Sequence, residues 1–364
     1  MLELNGDTLK FTFPEVHPDA ELTITFVRTL RIPDDDKTYP LPPGLGTFPL
    51  QHVDDHRERV PAKWLEHGGV MLPMFQAEAL WIKFSSKHLY NRRTKYPFAV
   101  KIGTGKISAI TGDEWVKIIS ENDYCVVPEQ PWIDGYAVDD DQVRQFVAAP
   151  LGAGFTAEEQ LTGKADHGGI QIEVYPMDFL TFDKKFPKIE PREVKTSGGV
   201  LRGKSVKCSA FAATGLNTRS LTLNDSMEQE RGVSAEMGIG AGGKMKQEIF
   251  KDPHGMDVWQ RSQKARCFVH LANSMAWEAI TGKKPPATPV TASVYTGQGY
   301  PWFDYYDESR EVLGGTDKLK GLKSIMELGF QKGMPMLPEN ESVDPSDKVF
   351  VIKGKAGPVR VGAW

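Results

Sequence analysis

Apolar side chains recur at every second position along much of this chain. Leu22, Ile24, Phe26, Leu30 and Ile32 keep one phase, with Thr23, Thr25 and Arg31 in the other. Side chains alternate across a strand, so this period predicts a strand with one buried face. Asp34-Asp35-Asp36 ends it. The same reading places strands at Ile170, Ile172 and Val174, over Arg266 to Ala272, and over Val206 to Leu223.

Several strands come in pairs joined by turn residues. Phe98 to Ile102 and Ile107 to Ile110 flank Gly103-Thr104-Gly105-Lys106. Trp132 to Val138 and Val143 to Val147 flank Asp139-Asp140-Asp141-Gln142. Lys348 to Ile352 and Val359 to Val361 flank Gly354-Lys355-Ala356-Gly357. Each pattern predicts a β-hairpin.

Helices are fewer and short. Thr156 with Glu159 forms a capping box, and Gly163 stops the helix it opens. Asn273 caps a second, Ser274 to Thr281, which ends at Gly282. Leu319, Leu322, Ile325, Met326 and Phe330 fall at helical spacing, opposite Lys318, Lys320, Lys323 and Glu327. They predict one amphipathic helix. The dense apolar run from Val70 to Phe84 predicts a buried helix starting at Pro73, where proline suits the first turn.

Strands and helices do not alternate, which argues against a doubly wound nucleotide-binding fold. The expected class is α+β, β-rich, with mostly antiparallel sheets and hairpins and a few short helices. The charged, proline-broken segment 182–199 reads as a linker or long loop. It divides an N-terminal β-rich α+β region, 1–181, from a C-terminal α+β region, 200–364, unless the two form one continuous domain.

The 364 residues suffice for a sizeable core, and 40% hydrophobic with 25% charged residues is a globular balance. A net charge of −4 provides no global field for nucleic acid or anionic lipid, so neither is expected as a partner. The start of the chain, Met1 to Asp7, lacks the pattern of a secretory signal, and no apolar run reaches membrane-spanning length. A cytoplasmic location is the resulting expectation. Cys125, Cys208 and Cys267 are odd in number and unpaired in spacing, arguing against a disulfide framework or a cysteine zinc site.

The glycine-rich run Gly238-Ile239-Gly240-Ala241-Gly242-Gly243-Lys244-Met245 comes closest to naming a chemistry. It completes Gly-x-x-x-x-Gly-Lys, but Met245 stands where a hydroxyl should hold magnesium. Alternation on both sides of Ala241-Gly242-Gly243 favours a hairpin. Gly238, Gly240, Gly242, Gly243 and Lys244 remain a candidate anion or ligand contact.

His167, in the turn Asp166-His167-Gly168-Gly169, and His270, within a strand, are the candidate acid–base residues. His52 and His56 share i, i+4 spacing but lack the context of a metal helix, so no metal and no cofactor is assigned. Tyr300, Trp302, Phe303, Tyr305 and Tyr306 form an aromatic segment that either fills the core or meets a partner. The proline arm Tyr39 to Gly44 is extended and either packs on its own domain or docks between subunits.

These features favour a binding or assembly protein without a recognisable catalytic motif. Its expected partner is itself, in a homo-oligomer, or another protein. The alternative is an enzyme acting on a small anionic or phosphorylated substrate through residues 238–244. A carbohydrate-binding β domain built on Trp302 is weaker, because no carboxylate pair is defined.

Overall fold

The computed structural model describes residues 1–189, 236–334, 340–345 and 348–353. A short opening strand, Leu2–Asn5, turns back on β1 (Thr8–Thr12), which pairs antiparallel with β2 (Glu21–Thr29), Thr8 opposite Thr25. After helix α1 (Ala62–His67) come β3 (Val70–Met74) and β4 (Ala79–Ser86). This corrects the helix expected from Pro73. Leu80, Ile82 and Phe84 are buried, while Lys83 and Ser85 are exposed, so period two lies inside the dense apolar run. Ala77, at φ 65°, sits in the turn between the strands.

Next come β5 (Phe98–Thr104) and its expected hairpin return at Ile107–Ser108. Gly105 and Lys106 both have φ 58°, as a tight two-residue hairpin turn requires. The hairpin into β6 (Gln142–Pro150) also forms, with Ala137 opposite Val143. Helix α2 (Ala157–Thr162) carries the Thr156–Glu159 capping box and ends at left-handed Gly163.

Strand β7 (Ile170–Pro176) leads to α3 (Phe179–Lys185), capped by Asp178. The expected linker thus begins inside a helix, and its residues 190–199 lie outside the described residues. So do the strand expected at Val206 to Leu223, Cys208, and the hairpin turn and return strand expected beyond Lys353.

Strand β8 (Glu236–Lys246) is unbroken, correcting the hairpin expected at Ala241-Gly242-Gly243. It pairs along β6, Met237 opposite Pro150 and Lys246 opposite Gln142, with a bulge between Arg144 and Phe146. Strand β9 (Ala265–Asn273) pairs antiparallel with β7 and parallel with β3. Strands from both expected regions therefore share one sheet. Asn273 then caps α4 (Ser274–Thr281), which stops at Gly282 as the sequence predicts.

The C-terminal amphipathic pattern divides into α5 (Asp317–Lys320) and α6 (Ile325–Gln331). Ser324 interrupts it, because its side chain caps α6 in a second capping box with Glu327. Between α4 and α5, β10 (Trp302–Tyr306) pairs parallel with β11 (Val349–Lys353). The proline arm lies along its own chain: Thr38–Tyr39 pairs with Lys244–Met245, and Leu41 bridges to Phe303.

Register gives β5, β7 and β9 two distinct faces. Phe98, Val100, Ile102, Ile170, Ile172, Val174, Val269 and Leu271 enter the main core. Lys101, Glu173 and Arg266 stand side by side on the other face, as do Gly103, Gln171 and Phe268. Alternation normally gives such a face to water. Here Lys101, Gln171, Glu173 and His270 are all buried, so part of a polar sheet face is roofed.

Candidate functional site

Two segments form the roof. Residues 113–123 pass over β5, held by Lys101. Its ammonium pairs with Asp123 at 2.7 Å, donates to the Val116 carbonyl at 2.9 Å and lies 4.7 Å from the Trp115 ring centre. Helix α1 covers β9 from the other side. Its Trp64 stacks on His270 at 4.7 Å, and its His67 stacks on Phe268 at 4.5 Å, 4° from parallel. Gly69 makes the approach possible, since a Cβ there would collide with the Phe268 carbonyl.

Between the roofs lies a cleft of about 520 Å³. Its lining includes His67, Lys106, Trp115, Lys117, Lys264 and Arg266. Four cationic side chains face two carboxylates there, Glu66 and Glu173, and Lys264 already engages Glu173 at 2.6 Å. A second hollow on the other side of Lys106 and Trp115 is lined by His167, Asp166, Glu158 and Lys164.

The two sequence-expected histidines come together here around a third. His67 lies 6.0 Å from His270 and 6.3 Å from His167, between ring centres. The Glu158 carboxylate positions His167 by accepting from the backbone N–H groups of Asp166, His167 and Gly168 at 2.8–2.9 Å. Gln171 accepts from the Lys106 N–H and donates to the Gly168 carbonyl, tying the hairpin turn to the histidine loop.

All three imidazoles are neutral near pH 7. Burial, against the Gly68 carbonyl, holds His270 down at about 3. Burial, then the ammonium groups of Lys106 and Lys63, lowers His67 and brings His167 to about 4. His270 Nε2 lies 3.0 Å from the Gly68 carbonyl, while Nδ1 of both His67 and His167 is buried without a hydrogen-bond partner. A neutral imidazole with an unengaged nitrogen can donate to an anion or accept a proton. The flanking lysines favour an anion over a cation.

The expected glycine contact has a different environment. Strand geometry points the N–H groups of Gly238, Gly240, Gly242, Gly243 and Lys244 along the sheet, and neighbouring parts of the chain fill the space beside the glycines. A Cβ on Gly240 would come within 2.6 Å of the Phe155 carbonyl oxygen, and one on Gly243 would collide with that of Pro33. These glycines serve close packing. Gly243→Ala is expected to lower stability by roughly 2–4 kcal/mol, the scale of overpacking against backbone. Chemical denaturation measures it, and an unchanged midpoint would refute the packing role.

Among the aromatic residues, Trp302 is fully buried against Tyr39 and Tyr295. Tyr305 packs on Trp132 at 4.9 Å. Phe303, Tyr305 and Tyr306 are half-buried and Tyr300 is exposed. His56 bonds Gln51 at 2.9 Å in a short 3-10 turn, away from the cleft. Cys125 and Cys267 are buried and unpaired. Among the described residues, no helix is long and apolar enough to cross a membrane.

Sequence reading missed His67, Lys106, Trp115 and Lys117. Their signal was indirect: polar residues at alternate strand positions, Lys101, Gln171 and Glu173, on a face expected to be wet. No protein-family model, curated protein or solved structure matches this chain.

Proposed function

We propose that this chain is a binding protein for a small anionic ligand, held in the cleft between α1, the Gly105-Lys106 turn and β9. The observation that carries the reading is the convergence of Lys106 with His67 and His167, whose buried Nδ1 atoms are unpartnered. The cleft volume is in the usual range for small-molecule sites. Lys117 and Arg266 are exposed at its rim and free to close on a bound anion.

Isothermal calorimetry with phosphate, sulfate and small carboxylates tests this. Bound anion favours the imidazolium forms, so binding at pH 6 should take up protons and weaken as pH rises toward 8. Lys106→Asn removes the charge at a position where asparagine tolerates the left-handed backbone. It is expected to weaken binding at least tenfold while the fold persists. Absence of binding heat at about 10 mM anion would end the proposal.

A second reading, assembly with itself or another protein, draws on β10 and β11. Phe350, Val351 and Ile352 are exposed on β11, beside the half-buried aromatic segment. Light scattering that gives a monomer at every concentration would count against self-assembly.

A further inference from the structure

Three loops meet around a hollow that shares no lining residue with the histidine cleft: residues 128–130, 250–254 after β8, and 307–311 after β10. Gln130 ties the first two together. Its side chain donates to the Glu248 carbonyl at 3.2 Å and accepts from the Phe250 N–H at 3.0 Å. The Lys251 N–H joins the third by donating to the Glu311 carbonyl at 2.8 Å. The enclosed space is about 480 Å³, the scale of a small-molecule site.

Two polar groups in its lining are unmatched. His254 Nε2 lies 3.7 Å from Glu129 Oε1, too far for a hydrogen bond. That nitrogen and Glu129 Oε2 are both buried without a hydrogen-bond partner. The Lys185 ammonium, which can only donate, is 3.4 Å from His254 Nδ1. Nδ1 therefore accepts, and Nε2 bears the hydrogen. The neighbouring carboxylate, Asp252, is already satisfied by the Tyr124 hydroxyl at 2.6 Å, the Trp259 indole at 2.8 Å and the His254 backbone N–H at 2.7 Å. A donor and an acceptor set this close match a hydroxyl, which accepts from one and donates to the other.

Arg310 adds a cation to the same hollow. Its Nε donates to Asp307 at 2.8 Å, and its guanidinium carbon lies 5.4 Å from the Phe250 ring centre. Among the described residues, its two terminal nitrogens have no other hydrogen-bond partner, and the side chain is 29% exposed. A planar guanidinium edge of this kind fits a carboxylate.

We propose that this hollow is a second ligand site, for a small hydroxycarboxylate. Glu129 and His254 hold the hydroxyl, and Arg310 holds the carboxylate. The site does not depend on the function proposed for the histidine cleft.

The Trp259 indole N–H is a local reporter, bonded to Asp252 with its ring 5.9 Å from that of His254. In NMR on the full chain, this signal is identified by its loss in Trp259→Phe. Lactate should shift it in a saturable way below about 10 mM. Propionate lacks the hydroxyl and lactamide lacks the charge, and each should bind at least tenfold more weakly. Glu129→Leu removes the hydroxyl's acceptor and should weaken lactate binding to the same extent. Lys106→Asn should leave lactate binding unchanged, which separates this site from the cleft. An unmoved signal, propionate or lactamide binding as tightly as lactate, a folded Glu129→Leu variant with undiminished affinity, or loss of the shift in Lys106→Asn would each overturn the proposal.

Discussion

Lys101→Met is expected to destabilise the protein by about 3–5 kcal/mol, the scale of removing one partner from a buried ion pair. Lys101 is 1% and Asp123 4% exposed. Every strong group in the pair is satisfied. Lys101 donates to Asp123 and the Val116 carbonyl, and Asp123 accepts from the Ser120 N–H at 3.1 Å and hydroxyl at 2.7 Å. Methionine fills similar volume but leaves the Asp123 carboxylate buried without its counter-charge. Asp123→Leu alone should be similarly damaging.

The double variant, Lys101→Met with Asp123→Leu, should recover at least half of the summed loss, because two apolar groups can replace a buried pair. Denaturant midpoints of the four proteins measure this. A double variant no better than the sum of the singles would refute the pairing argument. Lys101 also anchors the segment carrying Trp115 and Lys117, so hydrogen exchange over 113–119 should accelerate in Lys101→Met. Anion affinity should fall with it.

The position of this ion pair explains what was legible in the sequence. Alternation at Ile170, Ile172 and Val174 identified a strand and its core face, because burial on one side needs only local periodicity. Caps at Thr156 and Asn273 were equally local, each side chain bonding its own helix end. The opposite face carried Gln171, Glu173 and Lys101, a pattern that means solvent when read alone. Its roof comes from segments far away in sequence, α1 and residues 113–123, and no short-range pattern encodes their arrival.

The same limit accounts for the site. His167 and His270 were recognisable as residue types in suggestive places, but their meeting depends on His67 stacking on Phe268 across more than 200 positions. The glycine run favoured a hairpin by local alternation, but β8 runs through it unbroken and its glycines bring the Phe155 and Pro33 carbonyls close to a buried strand. The Val70 to Phe84 run misled by density, since both faces of β3 are buried and hide its period.

Asp134 should give the chain a distinctive loss of stability toward alkaline pH, and Asp134→Asn should remove it. The side chain is buried and Oδ1 has no partner. Burial pushes the carboxyl up to about 8, against a smaller opposing contribution from Gln247. An unfolded aspartate titrates near 3.9. Between these values the folded chain holds a proton that the unfolded chain has released. The folded state therefore binds more protons, and stability falls as pH rises from about 4 to about 8. At 1.36 kcal/mol per pH unit, that gap sets a ceiling of roughly 6 kcal/mol, and relaxation around the carboxylate brings the expected loss to about 2–4 kcal/mol. Asparagine has the same shape and cannot ionise. Asp134→Asn should match the parent near pH 4 and exceed it most at pH 8–9. The buried neutral His270 acts with the opposite sign, adding stability as pH rises from about 3 to 6.5, so the comparison of variant with parent, which cancels His270, isolates Asp134. Denaturant melts of both proteins from pH 4 to 9 decide the matter: parallel curves for parent and variant would show that Asp134 is ionised in the fold throughout.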